Sequence, residues 1–382
     1  MEFNTLVNLL DTHNEANIIA TERFKPKEVI FIYKQVKDQQ LQLESLKKYY
    51  NSKFSNSTFI SEPIEKFDVE SIKSVLDKYK DKSLLINVTK GERIYSLALL
   101  YLSQKYNIRC IYLDVENKKL ISFSNEGIDI TDESFYDLNI QEIIESSGGS
   151  IIVDSNESNS KAIIDQIIDL ISNNLDRWER LKYRLYDPKV FIHNQLDPMT
   201  IKLDMKYLTR EEMHIYNSML SLLKKNNQIQ YTSEKQDYIT IKFLNNQIKS
   251  FIFKSGSWLE AYTKRVVDNI RQVDDVKSGL LFLWDSEKNR VKNELDVVAI
   301  KNSTLICISC KDTGKYDEIA LNELNVYAQQ LGGENVVKIL VATKAPLKHP
   351  VQERAKEMNI ELVIYDGNKK VFEDKLRKII LR

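Results

Sequence analysis

Six short runs of β-branched and apolar residues, separated by amphipathic stretches, fill the first 125 residues, and this alternation constrains the fold more than any other feature. The runs are Thr5–Leu10, Glu28–Tyr33, Ser57–Ser61, Ser83–Val88, Arg109–Val115 and Lys119–Phe123. Strands separated by helices pair in parallel, so the rhythm predicts a Rossmann-like α/β sheet. Ligands of such sheets sit outside the carboxyl ends of the strands, which directs attention to the loops after the first and fourth runs.

A chain of 382 residues is long enough for two or three cores. Ser, Gly and Asn gather in Glu145–Ser160 and mark the best boundary. The expected division is 1–145, then a connecting segment 146–250, then 251–382. Within the connection, a helix from Lys161 to about Asn174 carries Ile163, Ile164, Ile167, Ile168 and Ile171 at helical spacing. A second helix, Thr209–Lys224, opens on a capping box of Thr209 and Glu212, and a hairpin is expected at Tyr238–Phe251. Read blandly this segment is a spacer; a winged-helix DNA-binding unit is the alternative.

Lys+Arg and Asp+Glu balance at 55 each, which argues against indiscriminate polyanion binding by the whole surface. Three cysteines cannot build a disulfide framework, and the start MEFNTLVNLLDTHNEAN lacks the pattern of a secretion signal, so a reducing cytoplasm is expected. No apolar stretch approaches the roughly 18–20 residues that cross a bilayer, and no membrane partner is expected.

Asn293–Lys311 reads NELDVVAIKNSTLICISCK, two strands joined by a tight turn at Asn302 and Ser303. Alternate residues of a strand share a face, so Glu294 and Asp296 point one way, as do Ser309 and Lys311 on the neighbouring strand. Carboxylate oxygens suit a hard divalent cation, Glu260 on the preceding helix can complete the shell, and Lys311 can offset charge developing on a phosphate. The bland alternative is a polar strand face with a salt-bridged lysine. The strands are otherwise apolar, so the charges stand in a sheet where unpaired charge is costly. Cys307 and Cys310, on opposite faces of one strand with no second pair, read as core residues. His13, His193, His214 and His349 are scattered.

Glu260, Asp296, the Ser309-x-Lys311 ending, and a following helix with Glu323, Tyr327 and Gln329 together resemble the PD-(D/E)XK nuclease core, a restriction-endonuclease-like fold. The resemblance implies a catalytic set of Glu260, Glu294, Asp296 and Lys311, a metal (Mn²⁺ or Mg²⁺) on Glu260, Glu294 and Asp296, and accessory Ser309, Glu323 and Gln329. Ser309 stands where the family usually has an acidic residue, a place that Glu294 can fill from the adjacent strand.

At the other end, Asn87-Val88-Thr89-Lys90-Gly91-Glu92-Arg93 follows the fourth run and enters a helix, while Asn8, Asp11, Thr12, His13 and Asn14 form a polar loop at the same edge. Backbone N–H groups at a helix start suit an anion, and Lys90 and Arg93 add charge. Turn and capping residues are the alternative, and without GxGxxG a dinucleotide is not expected. Asn87, Thr89 and Gly91 resemble the Asn-x-Thr-Gly-Gly-Thr-Lys type loop of CARF domains, the sensors of cyclic oligoadenylates in type III CRISPR defence; Lys90 and Glu92 depart from it, and Arg93 replaces the usual lysine. The two resemblances together imply a homodimeric, cyclic-tetra-adenylate-activated endonuclease that cuts DNA and/or RNA. The competing reading is a ligand-responsive nucleic-acid-binding regulator with a degenerate nuclease domain, favoured by Ser309; a third is an unregulated repair or restriction nuclease.

Overall fold

The apolar runs of the N-terminal part pair side by side, with the first and the fourth, both buried throughout, in the middle of the row. The structure, a computed structural model, describes residues 3–65, 69–153, 160–235, 237–254, 256–284 and 292–382. Strands β1 (Thr5–Leu9), β2 (Glu28–Lys34), β3 (Thr58–Ile64), β4 (Leu84–Asn87), β5 (Arg109–Asp114), β6 (Lys119–Ser124) and β7 (Gly127–Asp132) form one sheet of order β3-β2-β1-β4-β5-β6-β7. The first five are parallel, connected through α1 (Glu15–Phe24), α2 (Lys37–Lys53), α3 (Val69–Tyr79) and α4 (Arg93–Lys105). β6 and β7 add as an antiparallel hairpin. β7, exposed along its whole length, has too little burial to stand out in the sequence.

A helix α5 (Ile140–Ser146) leads to β8 (Gly149–Val153), which pairs with a C-terminal strand, so the Ser/Gly-rich stretch read as a boundary contains a sheet edge. Residues 154–159 of that stretch lie outside the described residues. The connection then folds as α6 (Lys161–Ser172), α7 (Leu175–Arg184), β9 (Phe191–His193), β10 (Thr200–Asp204), α8 (Arg210–Lys225), β11 (Ile229–Lys235), β12 (Tyr238–Phe243) and α9 (Asn246–Phe253). Its four-stranded antiparallel sheet has the order β11-β12-β10-β9. Both halves of the Thr209/Glu212 capping box form. The hairpin expected at Tyr238–Phe251 is not formed: Tyr238–Phe243 is β12, which pairs back with β11, and residues 246–253 are helix because Asn245 caps Gln247 and Ile248.

The last part comprises α10 (Ser257–Asp268), β13 (Asp275–Trp284), β14 (Lys292–Lys301), β15 (Thr304–Lys311), α11 (Glu318–Gly332), β16 (Val337–Ala342), α12 (His349–Glu357), β17 (Ile360–Ile364) and α13 (Lys369–Ile380). The sheet order is β17-β16-β15-β14-β13-β8. Between β14 and β15, Asn302 and Ser303 both adopt positive φ (49° and 58°), the geometry of a two-residue turn that matches strand twist. Leu6 and Phe31 of the first sheet and Tyr50 of α2 share a core with Phe282, Leu305 and Leu340 of the last sheet, together with Ile140 and Ile143 of α5. The opposite face of the last sheet, with Ile306, Ile308 and Cys310, shares a core with Trp258 of α10 and with Trp178 of the connecting segment. Cys307 and Cys310 thus belong to opposite faces, both buried and free. Among the described residues no helix is long and apolar enough to cross a membrane.

Candidate functional site

At the open ends of β14 and β15 lies a cavity of about 760 Å³, lined by Glu260, Glu294, Asp296, Ser309, Lys311 and Glu323 among others. The strands run buried until this end and then turn polar. The β13–β14 ladder pairs Ser278 with Val297 and Leu280 with Leu295 but leaves out Gly279 and Asp296. Gly279 has φ 58°, a conformation that glycine adopts at little cost.

Released from the ladder, the Asp296 carboxylate serves its neighbours. Its Oδ2 accepts from the backbone N–H of Cys310 (2.6 Å) and the hydroxyl of Ser309 (3.2 Å), and Lys311 Nζ lies 4.0 Å away. Ser309, at the position where an acidic residue is usual, therefore acts as a donor to Asp296. Glu294 pairs with Lys254 at 3.5 Å. Burial, then the charge of Asp296 and, with lesser weight, of Glu294, push the Glu260 carboxyl up to about 7 against partial relief from Lys254 and Lys311. For Lys254 burial opposes the charge, but Glu260 and Glu294 outweigh it and its pKa is raised.

The donor set is oxygen-rich and mutually repulsive, which suits a hard cation in kind: burial first, and then the neighbouring carboxylates, raise the Glu260 pKa. The three expected ligands line one cavity, yet among the described residues no three His, Cys, Asp or Glu side chains are drawn together closely enough to hold an ion. Glu323 reaches the cavity along with Tyr327. Gln329, expected as an accessory residue, does not: it is exposed further along α11 and accepts from Asn325 (3.4 Å). The cavity also takes Lys182 and Tyr183 from α7, Lys254 from the end of the connection, and Asp312. Sequence reading placed α7 in a spacer; its alternating charges look like a solvated helix face, and only the polar Asp312 closing an apolar strand carried a signal.

The folded protein holds on Glu260 a proton that an ordinary glutamate releases near 4.5, so this group's contribution to stability falls as pH rises from about 4.5 to about 7. Glu260→Gln removes the titration with little change of shape. In metal-free buffer at pH 8 it is expected to raise stability by about 2 kcal/mol and to flatten the loss between pH 5 and 8; thermal melts that superimpose on wild type would refute this electrostatic account.

At the N-terminal sheet, β1 and β4 are direct neighbours and pair Asn8 with Asn87. Both are fully buried: Asn87 Nδ2 donates to Asn8 Oδ1 (3.0 Å) and Asn17 Oδ1 (3.1 Å), and Asn87 Oδ1 accepts from the Thr89 backbone N–H (3.1 Å) and hydroxyl (2.5 Å). Asp11 accepts from Gly91 N (2.8 Å), His13 N (3.0 Å) and Thr12 Oγ1 (3.2 Å). Of the ten expected ligand residues, Thr89 and Lys90 line a crevice of about 260 Å³, facing Ser303, Thr304 and Leu305 of the last sheet. Asn8, Asp11, Asn87 and Gly91 clasp the two loops together. Glu92 is turned to Lys34, His13 lies against the backbone of Gly333, and Arg93 opens α4 in solvent.

Residues 249–380 match the family model of the Card1-like endonuclease domain. The match covers the C-terminal third of the chain. The whole chain has the fold of protein VC1899 from Vibrio cholerae, with TM-score 0.76 and 19% identity over 98% of this chain and 97% of that one. It is also similar to Can2 from Sulfobacillus thermosulfidooxidans, solved in complex with cyclic tetra-adenylate, with TM-score 0.69 and 18% identity over 100% and 97%. A type III CRISPR defence DNA nuclease activated by cyclic oligoadenylate matches all of this chain and 52% of its own, with TM-score 0.54 and 13% identity. No curated protein matches the sequence. The expected α/β architecture, a Rossmann-like N-terminal sheet followed by a separate C-terminal sheet, stands, and the cavity described above is lined mostly by residues of the segment that matches the Card1-like model.

Proposed function

We propose that this protein is a cytoplasmic, homodimeric, metal-dependent endonuclease activated by cyclic tetra-adenylate, cleaving DNA and/or RNA in type III CRISPR antiviral defence. The carrying observation is the convergence of Glu260, Glu294, Asp296 and Lys311 on one cavity of a Card1-like endonuclease domain. Mn²⁺ or Mg²⁺ would be held by Glu260, Glu294 and Asp296, and when bound it polarises the scissile phosphate and activates the attacking water. Asp296 is oriented by the Cys310 N–H and Ser309 hydroxyl, Lys311 Nζ offsets charge developing on the phosphate oxygens, and Glu260 has to release its proton before it can serve as a ligand.

The sensing end is supported by the Thr89–Lys90 crevice and by what lies across it. The turn of the β14–β15 hairpin sits at the crevice, while the far ends of the same strands carry Asp296 and Lys311, roughly 25 Å away by strand rise. A messenger seated there touches one end of a stiff element whose other end is the cleavage site. A two-fold ring would engage two protomers. Helix α4, which begins at the sensing loop, offers a surface for the second copy in its exposed stripe of Ile94, Leu97 and Tyr101.

The deciding experiment is a plasmid-nicking assay with and without Mn²⁺ and cyclic tetra-adenylate. Cutting that needs both is expected; cutting without messenger would establish an unregulated nuclease. Tight messenger binding without any cutting would establish the degenerate regulator, the reading that Ser309 favours.

A further inference from the structure

Asp312 follows Lys311 in the chain, just past the end of β15, and lines the same cavity with a side chain only 1% exposed. A buried carboxylate is retained only when fully partnered, and the partners of Asp312 come from two helices, α10 and α7. Trp258 of α10 donates to Oδ2 at 2.7 Å, and Trp178 of α7 approaches the same oxygen at 3.4 Å. Lys182 of α7, itself buried, donates to Oδ1 (2.9 Å) and to the Asp312 backbone oxygen (2.6 Å), and pairs with Glu179.

We propose that Asp312 and Lys182 are positioning residues of the cleavage site. Trp258 stands two residues before Glu260 in the first turn of α10, and Asp312 is covalently next to Lys311. One carboxylate therefore sets the acid-bearing helix against the lysine-bearing strand end, and the Lys182 ammonium pins that end from outside. β15 stops at Lys311, so beyond this point the strand ladder no longer holds the backbone, apart from the Thr343 N–H to the Lys311 oxygen at 3.2 Å. The connecting segment is in this way a wall and a brace of the active site. The inference rests on the nuclease reading above, because it is the placing of Lys311 and Glu260 that the brace serves.

The test uses the full-length protein with Mn²⁺ and saturating cyclic tetra-adenylate, measuring the rate at saturating nucleic acid and the half-saturating concentration. Lys182→Met is expected to lower kcat about 10- to 100-fold at unchanged KM, the effect of displacing a reacting group by about an ångström, while Lys182→Arg, which can still reach both oxygens, restores it to near wild type. A wild-type kcat in folded Lys182→Met overturns the proposal, as does failure of the arginine variant to restore the rate. Should Lys182→Met not fold, Trp258→Phe, which removes only the indole donor, takes its place: a kcat loss without a KM change supports the brace and an unchanged kcat overturns it. With three tryptophans in the chain, indole N–H NMR signals give a readout independent of cleavage. The Trp258 signal is expected to move upfield in Asp312→Asn; an unmoved signal overturns the hub. A wild-type protein that cuts nothing would instead overturn the nuclease reading, and the indole spectrum would still decide the hub.

Discussion

Asp296→Asn is expected to reduce metal-dependent cleavage on the order of 100- to 1,000-fold while leaving cyclic tetra-adenylate binding unchanged. Asparagine retains an oxygen that can accept from Cys310 N and the Ser309 hydroxyl, so the strand end keeps its bonds. What disappears is one negative charge at the centre of the cluster. That charge is the second-ranked cause of the raised Glu260 pKa and the partner of Lys311 at 4.0 Å. Its loss weakens cation binding and releases Lys311 from its place, an effect of about 3–4 kcal/mol on the barrier at about 1.4 kcal/mol per tenfold. Cleavage time courses over a Mn²⁺ titration, beside calorimetric titration with messenger, separate the two functions. Wild-type cleavage by this variant would remove Asp296 from the chemistry.

Gly91→Ala is expected to have the largest effect at the sensing end. Gly91 sits at φ 97°, and a Cβ there would lie 2.4 Å from Leu9 Cβ, a backbone-anchored atom that cannot swing aside. The loop has to shift, which breaks the Gly91 N–H to Asp11 bond and disturbs Thr89 and Lys90 beside it. The positive φ alone costs a β-carbon about 1–2 kcal/mol. Messenger affinity is expected to fall at least about tenfold, and the melting temperature by several degrees. The Card1-like domain, whose cavity is remote from this loop, should cleave normally at high enough messenger concentration. Unaltered affinity in a binding titration would show that the loop takes no part in recognition.

That Glu294, Asp296, Ser309 and Lys311 would line one cavity was legible because they lie on two adjacent strands. A period of two places Glu294 with Asp296 and Ser309 with Lys311, and a positive-φ turn at Asn302 and Ser303 closes the hairpin in register. The helix that follows was legible as an element but not in its detail: Glu323 and Tyr327 reach the cavity and Gln329 does not, because a helix turns each position by about 100° and only the contact with the sheet says which arc faces it. At the sensing end, the sequence named a loop without telling its clasp from its lining. Asn87, Asn8 and Asp11 tie the two loops together, while Thr89, bonded to Asn87 and to the Leu113 N–H, and Lys90, paired with Glu15, line the crevice.

Local periodicity and turn chemistry were enough to determine strands β1–β6 and β13–β17, the order of the two α/β units and the pairing of carboxylates with a lysine, since these depend on residues a few positions apart. Only the tertiary structure decided that β8 joins the last sheet, that α7 from the connection walls the cavity, and that Asp312 gathers Trp178, Trp258 and Lys182. Those contacts span 54 to 134 positions, and nothing in short-range spacing encodes which buried charge will meet which distant donor; that is set by how the sheets and helices pack.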